Sequence, residues 1–468
     1  MTQIHFLDDD HSAHNLIAGV LLLLIGFKFL ALRFPDSGIV YFALLLPPIG
    51  CLAMGLWRPA WGMVLGAGIL ATLTVEVSAG SEVSVSAAKL TLLAMVLLGA
   101  LNAKKIFRNP PPLLVPWLAY LGASAVSGVL AGMPMGAVWS VGEAGVIFLV
   151  FAAAAGIIRD DASRRSLSWV LALAGALVAA LWLLQVGIGS WAGVQLPLAV
   201  RVGVEKGPSF YRGSVFAHQN FLAAFFLLTG GIFFALLPRS GKGGKNFLMA
   251  GGLITWAILF MLGSIGALVG LCGAVLLGAI LFGNRWQKYA ARIGLVSLIA
   301  IVAATTLNSS DWNKSLRLTP DSVQVRVYAI RLGLRSWMAH PVFGSGPGSF
   351  EKEVLRLEKK TSSKLPYFRN DKNTSLSAHN VYLKNFVERG AAGGLAFVFL
   401  ILSYLYGIFR YSGADGRRIP WIFIGLAAFA LSGLFEDVFS YSSLHALFWT
   451  IGGAYLGIDA GERTGNTG

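Results

Sequence analysis

The chain has 468 residues, of which 56% are hydrophobic and only 13% are charged, and its mean hydropathy is +0.69. A soluble protein of this size carries roughly a quarter charged residues, so the composition excludes that class and indicates an all-α, polytopic transmembrane helix bundle. The net charge of +15 would suit nucleic acid, but the basic residues lie between apolar runs, where they act as topology signals. We therefore expect no nucleic-acid partner.

Long apolar runs predict about 12–14 membrane spans, since a bilayer core needs about 20 residues per helix. The spans fall near 14–32, 38–57, 61–76, 87–103, 112–132, 139–157, 166–188, 221–238, 246–263, 266–283, 292–308, 390–410, 419–436 and 440–458. The predicted division is a transmembrane bundle (1–308) with a hydrophilic connector near 189–220, a large hydrophilic loop (309–389), C-terminal transmembrane helices (390–460) and a polar tail (461–468).

Basic residues in short loops predict the orientation, because such loops tend to stay in the cytoplasm. The basic clusters lie in alternate loops, which all face the same side of the membrane. That side is the cytoplasm if both termini are cytoplasmic. The clusters are Lys104, Lys105 and Arg108; Arg159, Arg164 and Arg165; Arg239, Lys242 and Lys245; Arg285, Lys288 and Arg292; and Arg410, Arg417 and Arg418. The connectors 189–220 and 309–389 then lie on the outer side.

The connector before the span near 221–238 contains Arg212, His218 and Asn220. A guanidinium offers paired donors to phosphate and stays charged, so Arg212 is a candidate phosphate clamp, whereas Arg201 and Lys206 in the same connector can be simple surface charges. Asn220 stands where a helix cap is expected.

The large loop opens with a predicted helix from Thr319 to His340, since Thr-Pro-Asp is a typical helix start. Its apolar stripe consists of Val323, Val327, Ile330, Leu334 and Trp337. At ~100° per residue, Arg326 lies about 60° from the centre of that stripe, against about 80° for Arg331 and 120° for Arg335. Arg326 is therefore the arginine best placed to reach a cleft, although an interfacial helix resting on anionic lipid explains the pattern equally well.

His379 directly precedes Asn380, a good N-cap for the helix that follows. The positive end of a helix favours the neutral imidazole, which can accept a proton. The alternative is a histidine that is merely hydrogen-bonded at the membrane boundary.

Other ionisable residues lie close to the outer ends of spans: Lys89, Glu143, Glu436 and Asp437. Such residues face a polar cavity or pair with one another. Lys89 and Glu143 can form a structural ion pair, or Lys89 can contact a phosphate; Glu436 and Asp437 can bind sugar hydroxyls or mark the interface. Cys51 and Cys272 both lie in apolar runs, so we expect no disulfide, metal site or cofactor.

Three motifs, which together cover about residues 200–410, resemble the O-antigen ligase and O-antigen polymerase superfamily of bacterial membrane glycosyltransferases. They are Arg212 to Asn220; Arg326, Leu332 and Trp337 with Pro341 to Gly346; and Ala378 to Leu383 with Glu388, Gly390 and Gly394. The chain departs from the family pattern at Gln219, where relatives commonly have proline, and at Ser264-Ile265-Gly266, where many have Ser-Arg-Gly.

The resemblance implies a metal-independent transfer of glycan from undecaprenyl pyrophosphate, on the periplasmic side of the inner membrane. The acceptor would be lipid A-core or a lipid-linked glycan. Arg212 and Arg326 would hold the pyrophosphate and His379 would activate the acceptor hydroxyl. Further substrate contacts are expected from Asn220, His218, Arg331, Lys89 and Asn380.

Ligase and polymerase share these motifs, and we favour the ligase. An exopolysaccharide polymerase differs only in substrate. A transporter or flippase for lipid-linked sugars is the alternative from another class, and it predicts inverted repeats with a polar path through the membrane, neither of which is evident in the sequence.

Overall fold

The computed structural model describes residues 39–73, 75–79, 83–107, 111–192, 200–202, 218–285, 287–289, 292–294, 320–360, 378–414 and 420–457, with the isolated positions 19, 26, 216 and 296. All statements below concern these residues.

Helices make up most of the described chain. In chain order they are α1 (Ile39–Trp57), α2 (Pro59–Thr72), α3 (Ala87–Leu101), α4 (Ala103–Ile106), α5 (Leu114–Leu130), α6 (Pro134–Ile157), α7 (Asp161–Ala192), α8 (Gln219–Leu236), α9 (Lys242–Leu262), α10 (Ile265–Phe282), α11 (Pro320–Ala339), α12 (Phe350–Lys360), α13 (Val381–Ala414), α14 (Pro420–Ser432) and α15 (Ser442–Leu456). Short 3-10 turns span Leu237–Arg239 and Val438–Ser440.

The predicted membrane helix bundle is confirmed. Six described helices are long and apolar enough to cross a membrane, and five further apolar helices are 10–17 residues long. Large apolar side chains, such as Val115, Phe260 and Leu402, are exposed on the outer faces of the bundle, which is expected where those faces meet lipid. The predicted spans near 14–32 and 292–308 lie almost entirely outside the described residues.

Buried aromatic rings hold the helices of the bundle together. The ring centroids of Trp117 in α5 and Trp449 in α15 are 4.7 Å apart, and Phe151 of α6 lies edge-on to Trp449 at 5.8 Å. All three side chains are buried. Rings of this size contribute much of the packing energy of a core, so this cluster ties α5, α6 and α15 together beneath the site described below.

A small three-stranded sheet was not predicted. Strand β1 (Val75–Ala79) pairs antiparallel with β2 (Val83–Ser86) and parallel with β3 (Val200–Val202). The span predicted near 61–76 is therefore shorter, because α2 ends at Thr72 and the chain continues as a strand. Valine alternates with polar residues in β1 and β2, a period of two that is typical of strands and that a search for apolar runs overlooks.

Helix α13 bends sharply at Gly390, where the sequence predicts one helix to end and a span to begin. Gly390 has φ 64° and ψ −166°, a conformation that is essentially restricted to glycine. A methyl group here would lie 2.2 Å from the carbonyl oxygen of Val342. Beyond the bend, the Ala391 N–H donates to the Pro341 carbonyl oxygen at 2.8 Å, so the turn 341–348 is clamped against the kink.

The apolar stripe predicted for α11 is only part of its packed face. Ile330 and Trp337 pack against the buried cluster formed by α11, α12 and α13. Leu334 is 41% exposed, however, and the fully buried positions are Ala329, Leu332, Gly333 and Ser336. Three of these four are small, and a methyl group on Gly333 would lie 2.8 Å from Leu383 of α13. Helix α11 thus packs closely on α13 through small residues, which a pattern built on large apolar residues does not detect.

Basic connectors meet at one end of the bundle. The Arg159 guanidinium donates to the Lys105 carbonyl oxygen at 3.2 Å. Arg239 Nη2 lies 3.6 Å from Asp161 Oδ2. The segments that contain these residues, 104–107, 159–165 and 239–245, therefore share an end of the bundle.

Candidate active site

A buried carboxylate, that of Glu436, joins three side chains from distant parts of the chain. Its Oε1 accepts hydrogen bonds from Asn220 Nδ2 at 2.7 Å and from the Arg326 guanidinium. Its Oε2 lies 3.2 Å from His379 Nδ1. The Glu436 side chain is only 8% exposed, and a charge buried this deeply needs such partners. We call these four residues the Glu436 cluster.

The cluster lies at the end of the bundle opposite the basic connectors. Asn220 is in the first turn of α8, and the 16 residues that separate it from Leu236 span about 24 Å along the helix. Arg326 is in α11, His379 directly precedes α13, and Glu436 lies between α14 and the following 3-10 turn. Four separate segments must therefore fold before the cluster exists.

His379 is held between two anchored neighbours. Its φ is 43°, in the left-handed region that non-glycine residues rarely occupy and that, when observed, often marks a functional site. On one side Ala378 is buried against α11 and α12. On the other, Asn380 Oδ1 accepts from the Leu383 N–H at 2.8 Å, which is the N-cap that the sequence predicts. The position of the imidazole is thus fixed by its backbone.

The contact with Glu436 defines what the imidazole of His379 can do. With its proton on Nδ1, the ring donates to the carboxylate and Nε2 keeps a free lone pair. A carboxylate that orients a histidine base in this way is a recurring catalytic arrangement. The His379 side chain is 31% exposed, so it is accessible to a substrate.

The capping residue of α8 differs from the prediction. His218 is the N-cap, and its Nδ1 accepts from the Asn220 N–H at 3.2 Å. The side chain of Asn220 instead donates to Glu436, since a buried carboxylate is a stronger acceptor than the partners at a helix end. Asn220 therefore supports the cluster rather than the helix terminus.

Glu436 is held in its ionised form. Burial alone would raise the pKa of its carboxyl group, but the hydrogen bond from His379 and the charge of Arg326 outweigh burial, and the pKa is lowered below its ordinary value. The cluster therefore keeps a fixed negative charge beside the histidine at neutral pH.

A polar face of α13 continues from the cluster. Lys384 Nζ donates to Asp437 Oδ2 at 2.8 Å. One turn further, the Arg389 guanidinium donates to Glu388 Oε2 and Asn385 Oδ1, both at 3.0 Å. The spacing of these α13 residues puts them on one helical face.

Arg389 also links α13 to two neighbouring helices. Its Nε donates to Ser124 Oγ of α5 at 3.0 Å, and its Nη2 donates to Ser140 Oγ of α6 at 2.7 Å. Its guanidinium lies over the Tyr120 ring, 5.5 Å from the centroid. These contacts fix the guanidinium in the wall of a cavity.

That cavity, of about 340 Å³, lies between α5, α6, α13 and the turn at 438–440, and Asp437 brings it next to the Glu436 cluster. Among the described residues, three polar atoms of its wall are buried without a hydrogen-bond partner: the indole Nε1 atoms of Trp117 and Trp449, and Oε1 of Glu388. Its lining combines aromatic residues (Trp117, Tyr120, Trp139, Phe397, Phe439 and Trp449) with charged ones (Glu143, Lys384, Glu388, Arg389 and Asp437). Unpaired buried polar atoms are rare in proteins, and here they indicate a place for a polar ligand or water.

The structure does not bring every predicted residue to the cluster. Arg331 and Lys89 are exposed, and neither contributes to the hydrogen bonds of the Glu436 cluster. Glu143 lines the neighbouring cavity. Arg212 lies outside the described residues.

The central role of Glu436 was missed by the sequence reasoning, which considered it only as a possible sugar-binding or interface residue. Its partners are 57, 110 and 216 residues away, so no local pattern connects them. The polar face of α13 was also missed, although its spacing is visible in the sequence.

Within the described part of the chain, no group of three or more His, Cys, Asp or Glu side chains is placed to hold a metal ion.

Comparison with known families yields a match over part of the chain. The family model described as O-antigen ligase matches residues 250–398, a region that includes Arg326, His379 and the kink of α13 but neither Asn220 nor Glu436. The match confirms the resemblance to the O-antigen ligase and polymerase superfamily and supports a membrane enzyme of this type. No curated protein sequence matches the chain.

Proposed function

We propose that this protein, a membrane enzyme of the O-antigen ligase and polymerase type, transfers glycan from undecaprenyl pyrophosphate to a hydroxyl group of lipid A-core. The proposal rests above all on the Glu436 cluster, in which a buried carboxylate joins the candidate base His379 to the candidate phosphate ligand Arg326. The protein would be a multi-pass protein of the bacterial inner membrane with both termini in the cytoplasm. The cluster would then face the periplasm, and the region 309–389 would be the periplasmic loop that carries Arg326 and His379.

In the proposed step His379 acts as the general base. The acceptor hydroxyl oxygen forms a bond to the anomeric carbon of the donor sugar while the bond from that carbon to the pyrophosphate oxygen breaks. The hydroxyl proton passes to Nε2 of His379, and the electron pair of the broken bond leaves with the pyrophosphate, so the configuration is inverted. A positioned base of this kind accelerates reactions by about 10²- to 10⁴-fold. Glu436 orients the ring and stabilises the imidazolium that forms.

Arg326 is proposed to stabilise the leaving group. Charge grows on the pyrophosphate as the bond breaks, and a fixed guanidinium stabilises that charge where it develops. Arg326 uses its Nη2 for Glu436, and a guanidinium has five N–H donors, so it can bind phosphate without leaving the cluster. We propose Arg212 as a second phosphate ligand from the connector 189–220, and Asn380 as the cap that holds His379.

The cavity beside the cluster is proposed to hold a sugar unit of one substrate. Ring faces such as that of Tyr120 stand next to the hydrogen-bonding groups of Lys384 and Arg389. A pocket with mainly apolar walls and a few placed polar groups orients a ligand that has both kinds of surface, as a sugar does. The unpaired Trp117 and Glu388 atoms are suited to its hydroxyl groups.

The glycan profile of a deletion strain tests the function, with lipid-linked intermediates measured in parallel. A ligase predicts long glycan accumulating on undecaprenyl pyrophosphate while lipid A-core stays bare. Single repeats on the final acceptor would instead indicate a polymerase, and loss of a secreted polymer with unchanged lipopolysaccharide would indicate an exopolysaccharide enzyme. Repeats trapped on the cytoplasmic face would support a flippase and contradict the catalytic proposal.

A further inference from the structure

A second cavity, of about 200 Å³, lies at the other end of the bundle from the Glu436 cluster. It is enclosed by the start of α7, the end of α8 and residues of α13 and α15. Its polar lining includes Asp161, Arg164, Arg165, Arg239 and Tyr411. None of these residues has a part in the proposed transfer.

The lining carries an excess of positive charge. Arg164 Nη2 lies 2.9 Å from Asp161 Oδ1, and Arg239 Nη2 lies 3.6 Å from Asp161 Oδ2. The Asp161 carboxylate thus pairs with two guanidinium groups, and Arg165 contributes a third guanidinium to the lining. Three arginines and one aspartate leave the lining with two net positive charges, which is an attractive environment for an anion.

The arginines also hold unused donors inside the protein. The Arg164 side chain is only 6% exposed. Among the described residues, its Nε and Nη1 and the Nε of Arg165 are buried without a hydrogen-bond partner. A buried charged donor with no acceptor is costly, so these atoms indicate an acceptor that binds in the cavity.

The geometry specifies the kind of acceptor. A guanidinium presents its donors as a planar fork that matches two oxygens of a phosphate. The start of α7 is already capped by Asp160, whose Oδ1 accepts from the Ser163 N–H at 2.7 Å, so the guanidinium groups rather than the helix end are the sites for an anion. Tyr455 already pairs with Ser168 at 2.8 Å, and the guanidinium groups are the charged donors of the lining.

We propose that this cavity binds a phosphate group, with Arg164, Arg165 and Arg239 as its ligands. The phosphate of an anionic lipid headgroup and free inorganic phosphate share this chemistry, and both can reach a cavity at the end of a membrane bundle. The site is independent of the proposed glycan transfer.

Thermal unfolding of the purified full chain tests the proposal. The protein is kept in a phosphate-free detergent and titrated with inorganic phosphate, against chloride at matched ionic strength. In a second series, phosphatidylglycerol is compared with a neutral glycolipid that lacks phosphate. A ligand that binds only the folded protein raises the unfolding midpoint, so at least one of the two phosphate-containing ligands should raise it by several degrees beyond its control.

Variants locate the effect. Arg239→Gln, at a side chain that is 29% exposed, should raise the half-saturating ligand concentration at least tenfold, since it removes a charged hydrogen-bond donor from the site. Arg164→Lys keeps the buried charge but loses the planar fork and should also weaken binding. Lys245→Gln removes an exposed charge at the same end of the bundle and should change binding less than about twofold.

The outcomes are distinct. Saturable stabilisation by inorganic phosphate alone assigns the site to the free anion, and stabilisation by phosphatidylglycerol alone assigns it to a lipid headgroup. No stabilisation by either ligand would overturn the proposal. So would equal weakening by Arg239→Gln and Lys245→Gln, because the effect would then be general surface charge.

Discussion

Glu436 is the residue on which the site depends. It is the common partner of Asn220, Arg326 and His379, and its removal would leave a guanidinium and an imidazole without their shared anion. A surface ion pair contributes little to stability. The Glu436 carboxylate is only 8% exposed, and removing one partner of a buried pair leaves the other partner buried without a counter-charge, which lowers stability. The cluster would therefore couple the stability of this end of the bundle to the proposed chemistry.

The lowered pKa of Glu436 predicts an acid-sensitive contribution to stability. A depressed pKa in the folded state stabilises the protein at pH values above the unfolded-state pKa of about 4.3, and this stabilisation is lost as the pH falls through the lower folded-state value. The unfolding midpoint of Glu436→Gln should therefore be lower than that of the wild type at neutral pH and should converge toward it below about pH 4. Thermal unfolding in detergent across this range measures the difference.

Glu351→Gln is the matched control for that experiment, because Glu351 is an exposed residue of α12 away from the cluster. Its unfolding curve should follow the wild type at every pH. A constant offset between Glu436→Gln and the wild type down to the lowest pH would contradict the assigned ionisation.

The residues of the candidate site are easier to find in the sequence than the hydrogen bonds and ion pairs that join them. Arg326, His379 and Asn380 stand out because each lies at a helix start or on a helix in a hydrophilic loop, which are local signals. The structure then gives His379 a carboxylate partner 57 residues away. Such a pairing depends on how α13 and α14 pack, which no single stretch of sequence records.

At the scale of elements, the kink of α13 positions the site. The turn 341–348 is clamped on the bend at Gly390, and the segment before the bend carries His379 at its start and the polar face beside the cavity. Replacing Gly390 by alanine forces a conformation that costs on the order of 1–3 kcal/mol for a non-glycine residue. It also places a methyl group 2.2 Å from the Val342 carbonyl oxygen.

We predict that Gly390→Ala gives little folded protein, because backbone atoms on both sides of the clash cannot move away. The monodisperse fraction in detergent, measured by size-exclusion chromatography, reports the loss. Gly142→Ala in α6 is the control, since a methyl group there meets no atom within 4 Å. Similar yields of the two variants would show that the clamp is not required.

Secondary-structure elements were predicted from the sequence where a single type of residue defines them. Long apolar runs identify the membrane helices, and Gly390 marks the bend. The packed face of α11 was predicted only in part, because small residues such as Ala329 and Ser336 are buried there beside Ile330 and Trp337 of the predicted stripe. The strands β1 to β3 were missed because their alternation is short and lies between apolar runs.

At the scale of the whole molecule, the two ends of the bundle have different chemistry. One end gathers arginines around a cavity, and the other gathers the Glu436 cluster beside a cavity with aromatic and charged walls. The expected orientation, in which basic loops face the cytoplasm, would put the arginine-lined cavity on that side. The proposed reaction would then take place on the opposite side.

The proposed mechanism predicts that turnover does not require a divalent metal ion, because guanidinium groups supply the positive charge that a metal would otherwise provide. The initial rate of the purified protein should stay within about twofold after treatment with EDTA, a change well under 1 kcal/mol in the barrier. A large loss of rate that Mg²⁺ restores would contradict this assignment.

Glycan transfer by the purified, reconstituted protein tests the central claim most directly. His379→Ala and Arg326→Ala are compared with His340→Ala and Arg335→Ala, which replace exposed residues of the same types on or next to α11. We predict that the first pair loses transfer by about 10²-fold or more while remaining folded and inserted, and that the second pair retains it. Full activity in either variant of the first pair would remove that residue from the mechanism, and equal losses in both pairs would contradict a catalytic role for the Glu436 cluster.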